Sequence, residues 1–113
     1  MLVGDEQVVL DAVKMILELD QHVVDQVTNP IDALARYQAV KYDLVLTDNR
    51  MPEMTGLELA EKIRASKPDQ PILLLTGYST SGPTSAVDLI MRKPFSGDEL
   101  RQAVAKLTNQ AEA

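Results

Sequence analysis

Leu44-Val45-Leu46-Thr47-Asp48-Asn49-Arg50-Met51-Pro52, with Gly56 close behind, is an apolar run that ends on a carboxylate and breaks at a Met-Pro turn. Its continuous apolar centre predicts a third strand over Tyr42 to Asp48, buried on both faces as in a parallel sheet. In an open α/β sheet, ligands and chemistry sit just beyond the carboxyl ends of the strands. Asp48 therefore stands where a functional acid is expected.

On the amino-terminal side, Met1-Leu2-Val3-Gly4 reads as a short buried first strand followed at once by Asp5-Glu6. Val9, Ala12, Val13, Ile16 and Leu19 repeat at helical spacing and predict an amphipathic helix of about four turns. His22 to Val27 reads as a second strand through Val23, Val24 and Val27. Asn29-Pro30 is a helix start, with Asn as N-cap and Pro at the first helical position. Ile31, Leu34, Ala35 and Tyr37 carry that helix to about Val40.

On the carboxyl-terminal side, Thr55 caps a helix through Leu59, Ala60 and Ile63, which Ser66-Lys67-Pro68-Asp69 ends. Pro71 to Thr76 is a fourth strand. Gly77 to Ser85 is a run of turn and loop residues with only Tyr78 apolar. Ala86 to Met91 is a fifth strand, Arg92-Lys93-Pro94-Phe95 turns out of the sheet, and Ser96 and Glu99 form a capping box. Leu100, Ala103, Val104 and Leu107 give a last helix that frays by about Asn109. Alternating strands and helices predict an α/β domain over residues 1–113, with a parallel sheet covered on both faces.

The totals narrow the function. A chain of 113 residues is one domain. No apolar run approaches the roughly 18 residues of a membrane span, and no export signal is visible. Zero cysteines exclude disulfides and thiolate metal sites and fit a cytoplasmic address. A formal charge of −6 argues against a nucleic-acid-binding surface. With one His and no Cys, the metal expected is a hard cation held by oxygen, such as Mg²⁺.

Three strand ends carry polar residues: Asp5 just after the first, Asp48 closing the third and Thr76 closing the fourth. Lys93 follows the fifth. In a parallel sheet these ends point the same way, so four distant residues converge at one edge. Singly, each has a plainer reading: a solvated turn acid, a Thr of local geometry, a solvated Lys before Pro. Together they form a site. Facing carboxylates repel, and Mg²⁺ relieves that while leaving coordination positions for a phosphoryl oxygen. A carboxylate can attack phosphorus to give an acyl phosphate, a transfer that needs mainly positioning and charge neutralisation. Lys93 could neutralise a second phosphoryl oxygen and the Thr76 hydroxyl could donate to a third. His22 reads as a partly exposed residue rather than a proton carrier, and Met51, Met54 and Met91 read as packing.

Asp5-Glu6, Leu46-Thr47-Asp48, Met51-Pro52, Gly56-Leu57, Leu75-Thr76-Gly77 and Lys93-Pro94-Phe95 follow, in order and nearly in spacing, the pattern of bacterial response-regulator receiver domains, which this chain resembles over essentially its whole length. The resemblance implies a doubly wound five-stranded parallel sheet of flavodoxin-like order 2-1-3-4-5. It implies phosphorylation of Asp48 by a sensor histidine kinase or phosphotransfer protein. Asp5, Asp48 and the backbone carbonyl of Arg50 would bind Mg²⁺, Thr76 and Lys93 would hold phosphoryl oxygens, and the Lys93-Pro94 bond would be cis.

Three departures from that pattern stand out. Asp5 aligns with the second of two adjacent acids and Gly4 with the first; the opposite register takes Asp5-Glu6 as the pair. If Gly4 is the substitution, Mg²⁺ affinity should fall. The stretch from Thr76 to Lys93 is several residues short, so the fourth helix is expected to be missing, very short or disordered. Ile90 stands where the family's switch uses an aromatic, which leaves the Gly77–Ser85 loop as the expected responsive element.

The leading expectation is a receiver that is not an enzyme beyond assisting its own phosphorylation and dephosphorylation. It would be a monomer or weak dimer, signalling through a downstream protein, with no nucleic acid or membrane contact. At single-domain length its output comes from that partner, or the chain is a fragment of a longer protein. The alternative is a phosphorylation-independent pseudo-receiver serving as an interaction module. A small-substrate phosphohydrolase comes last: it needs a second Asp as acid/base near the nucleophile, and position 50 is Arg.

Overall fold

The structure, a computed structural model, describes residues 1–77 and 85–112, with 109–112 described as backbone only. The elements among them are β1 (Leu2–Val3), α1 (Gln7–Glu18), β2 (Gln26–Val27), α2 (Pro30–Ala39), β3 (Val45–Asp48), α3 (Gly56–Ser66), β4 (Ile72–Thr76), β5 (Leu89–Arg92) and α4 (Gly97–Glu112). All strand pairs are parallel, in the order β2-β1-β3-β4-β5. This is the doubly wound arrangement expected.

The two faces follow from strand alternation. Leu44, Leu46, Leu73 and Leu75 pack against Leu10, Val13 and Leu17 of α1 and Leu100, Val104 and Leu107 of α4. Val45 and Ile72 point the other way, onto Ala33 of α2 and Leu59, Ala60 and Ile63 of α3. β3 and β4 are buried along their whole length because helices cover both sides. Met51 and Met54 sit in the α2/α3 layer and Met91 in the α1/α4 layer, as packing.

Helix starts are set by local chemistry. The Asn29 side chain accepts the Asp32 N–H at 2.8 Å, with Pro30 opening α2. Thr55 and Glu58 form a reciprocal capping box on α3, with both bonds at 3.1 Å. Ser96 and Glu99 do the same for α4, at 3.0 and 3.3 Å.

Several expected boundaries shift. The buried face of α1 is Leu10, Val13 and Leu17, flanked by half-buried Val9 and Ile16, whereas Ala12 and Leu19 face solvent. Apolar residues encircle this helix, so spacing alone does not select the buried arc. β2 is only Gln26–Val27, because this edge strand pairs with β1 alone and β1 offers two residues. Val23 is 99% exposed. β3 starts at Val45, and Tyr42 instead stacks on Tyr37 and donates its hydroxyl to Asp25. β5 is Leu89–Arg92, displaced from Ala86–Met91 because the Asp88 carboxylate takes the Ile72 N–H at 2.7 Å and Arg64 at 2.5 Å, ahead of the strand. α4 continues to Glu112. Among the described residues no helix lies between β4 and β5; residues 78–84, most of the predicted Gly77–Ser85 loop and its Tyr78, lie outside them.

The Asp25 carboxyl lies below the usual carboxylate range, first because the Tyr42 hydroxyl donates to it and then because Arg36 faces it. Burial and the same contact push the Tyr42 hydroxyl up to about 12. A folded-state carboxyl held low adds stability above its unfolded pKa, and that contribution is lost as pH falls through the folded value. Tyr42→Phe is expected to cost about 0.5–1.5 kcal/mol at neutral pH. The cost should shrink in acid, as measured by urea unfolding at both conditions. In the same assay Leu73→Ala, in a fully buried central strand, should cost about 2–5 kcal/mol. Val23→Ala should stay within about 0.5 kcal/mol.

Candidate functional site

The site is built at the carboxyl end of β3. Pairing with β4 continues past the strand, the Asn49 N–H donating to the Leu75 carbonyl at 3.0 Å. The chain then leaves the sheet and returns at Gly56, whose N–H donates to the Asn49 carbonyl at 2.8 Å. The Asn49 side-chain oxygen accepts the Leu57 N–H at 3.3 Å, so this residue closes the loop from both ends. A Cβ at Gly56 would lie 2.3 Å from the Asp48 carbonyl oxygen and 2.7 Å from Leu74 Cδ1. Glycine is required there because α3 starts against the backbone of β3. Met51, buried in the α2/α3 layer, anchors the loop between.

Asp48 is 4% exposed, and its Oδ1 lies 2.6 Å from the Lys93 ammonium. An ionised carboxylate buried this far is costly unless paired. Lys93 arrives from the end of β5, its N–H donating to the Thr76 carbonyl at 2.8 Å. The Lys93-Pro94 bond is cis, as the resemblance implied. Thr76 closes β4 and is buried beside the same edge. Asp48, Thr76 and Lys93 thus come together from three strand ends.

Asp5 and Arg50 are placed differently. Both are exposed, on the connections just beyond β1 and β3. Val3 pairs with Thr47, so Gly4, not Asp5, stands level with Asp48. A Cβ at Gly4 would be 2.7 Å from Asp48 Oδ2. This geometry puts Gly4 in the position of the missing first acid and Asp5 on the rim. The two residues that sequence reasoning undervalued are Gly4 as a contact and Asn49 as a loop closure. A polar amide directly after the last residue of β3 was the available signal for the second.

The donor set fits a hard cation. Asp48, Asp5 and the Arg50 backbone carbonyl offer oxygen only, the preference of Mg²⁺. Among the described residues no group of three or more His, Cys, Asp or Glu side chains is placed to hold a metal ion. A cation here would rely on two carboxylates, with a backbone carbonyl, water and a phosphoryl oxygen supplying the rest.

Comparison with known proteins agrees with this geometry. Residues 1–105 match the model of the response regulator receiver domain family. The chain is 31% identical to the chemotaxis protein CheY of Listeria monocytogenes over 113 residues, covering 94% of each. It is 33% identical to the transcriptional regulatory protein TrcR of Mycobacterium tuberculosis, covering 88% of this chain but 41% of that one. The chain spans less than half the length of TrcR and of three other transcriptional regulators that it matches. Among solved structures, it superposes with a TM-score of 0.87 and 37% identity on response regulator TrrA of Thermotoga maritima in complex with Mg²⁺-BeF, covering 94% of this chain and 95% of that one. It superposes with a TM-score of 0.91 and 26% identity on a CheY-like receiver domain of Methanospirillum hungatei, covering 98% and 93%. This chain belongs to the response regulator receiver domain family of two-component signalling.

Proposed function

We propose that this receiver is a Mg²⁺-dependent phosphoacceptor, phosphorylated on Asp48 by a sensor histidine kinase or phosphotransfer protein. The observation that carries the reading is the buried Asp48 carboxylate paired with Lys93 at 2.6 Å, beside Thr76, on the carboxyl edge of a parallel sheet. A carboxylate oxygen of Asp48 attacks phosphorus in the donor's phosphohistidine. The P–O bond forms as the P–N bond breaks, and the electron pair returns to the imidazole, which then takes a proton. Lys93 offsets charge on the phosphoryl group, and the Thr76 hydroxyl donates to another of its oxygens. Asp5, Asp48 and the Arg50 carbonyl would hold Mg²⁺, which would supply further charge neutralisation.

Beyond assisting its own phosphorylation and dephosphorylation, the domain is not an enzyme. It works in the cytoplasm as a monomer or weak dimer and signals through contacts with a downstream protein. Phosphorylation adds charge and acceptor oxygens at Asp48. Ile90, half-buried and paired with Leu74, removes the usual aromatic partner of Thr76. The response therefore passes to the connection between β4 and β5.

The pseudo-receiver reading has one observation in its favour: Gly4 stands against Asp48 where an acid would strengthen the cation site. Incubation with a small-molecule phosphodonor and Mg²⁺ should add one phosphate to the intact mass of the wild type and none to Asp48→Asn. Lys93→Ala should slow that uptake by about 10²-fold or more. A wild type that gains no mass, and binds its partner as Asp48→Asn does, would establish the pseudo-receiver instead.

A further inference from the structure

We infer that the hollow between the end of α2 and the start of β3 is a docking site for an acidic segment of a partner protein that carries an aromatic side chain, and that it works independently of Asp48.

The hollow lies at the amino end of β3, whereas Asp48 closes the carboxyl end of the same strand. Its volume is about 400 Å³, within the range of small binding sites. The apolar lining is Tyr37, Ala39, Val40 and Tyr42, and the charged lining is Lys41 and Lys67. Val40 is 47% exposed, so nothing in the chain covers this surface fully. The two rings are fixed. They stack with centroids 6.2 Å apart, the Tyr37 hydroxyl donates to Gln70 at 2.7 Å and the Tyr42 hydroxyl donates to Asp25. With both hydroxyls committed elsewhere, the rings offer apolar surface that is already ordered before anything binds.

Charge selects the occupant. The chain carries a net charge of −6, yet no acid lines the hollow. Asp43 and Asp69 follow the two lysines in sequence, but both are exposed and neither is part of the lining. Among the described residues neither Lys41 nor Lys67 takes part in an ion pair. Two unpaired ammoniums beside an aromatic wall draw an acidic segment here, while the rest of an acidic protein repels it. The backbone supplies a further contact. In-helix bonding of α2 ends with the Val40 N–H on the Arg36 carbonyl at 3.0 Å, which leaves the carbonyls after it to accept N–H groups from outside. Lysines at helix ends also complement the helix dipole, and that plainer role gives a different result in the same experiment.

The full chain, ¹⁵N-labelled, is titrated with a blocked synthetic pentapeptide, one Phe flanked by two Glu on each side, and with the same peptide carrying Gln in place of Glu. The acidic peptide should shift the amides of residues 37–42 and 67 with a midpoint below about 1 mM. The neutral peptide should bind at least about tenfold more weakly. Lys41→Gln combined with Lys67→Gln should weaken the acidic peptide by a similar factor. Val40→Asp, a single change at an exposed position, should do the same, with a melting curve close to that of the wild type showing that the fold is kept. Asp48→Asn should bind the peptide as the wild type does. No shift at those residues by about 10 mM peptide, equal affinity for the two peptides, or equal affinity of the wild type and the double lysine variant would each overturn the site. A double variant that melts lower, with a wild-type spectrum that the peptide leaves unchanged, would assign the lysines to the helix ends alone. A tenfold change in Asp48→Asn would tie the hollow to the phosphoacceptor edge and overturn its independence.

Discussion

A buried carboxylate held by one ammonium is the interaction around which this molecule is arranged. Burying the Asp48 carboxylate to 4% exposure is costly without a partner. Lys93 is 45 residues away in sequence, and only the parallel pairing of β3 with β4 and β4 with β5 brings it within 2.6 Å. Surface ion pairs contribute little to stability. This one differs because removing either partner changes what is left: loss of Lys93 strands a buried charge, whereas loss of the Asp48 charge leaves an ammonium that is already 28% exposed to water. The same asymmetry suits a site that receives a negatively charged group.

The scaffold explains why the pair is rigid enough to matter. β3 and β4 are sealed between two helix layers, so the strand ends that deliver Asp48 and Thr76 have little freedom. Gly56 lets α3 begin against the Asp48 carbonyl, and the Thr55–Glu58 capping box fixes the direction in which the helix leaves. Asn49 closes the turn between them. These features hold the floor of the site. The rim residues, Asp5 and Arg50, sit on exposed connections.

Much of this was legible in the residues. The fully apolar runs of β3 and β4 announce a doubly covered parallel sheet, and carboxyl-end polar residues at 48, 76 and 93 announce its working edge. Caps at Asn29, Thr55 and Ser96 each mark a helix start because a short polar side chain has one favourable use there. The unreadable parts share a cause: tertiary context overrides a local pattern. Val23 looks like strand but is left in solvent by a two-residue partner. α1 is apolar on too many sides for its buried arc to be read from spacing. That Gly4 packs against Asp48 is a contact between two strands, and composition carries no sign of it. Asp5, read as lying just after the first strand, stands there on an exposed connection.

The central claim is that Asp48 and Lys93 act as a coupled buried pair, and a double-mutant cycle on unfolding free energy measures that most directly. Asp48→Asn, Lys93→Met and the double variant, unfolded in urea at neutral pH without divalent cation, should show a coupling of about 1–3 kcal/mol. Lys93→Met should be the more damaging single change. Effects that add within about 0.5 kcal/mol would mean that the two side chains do not depend on one another, and would contradict the account.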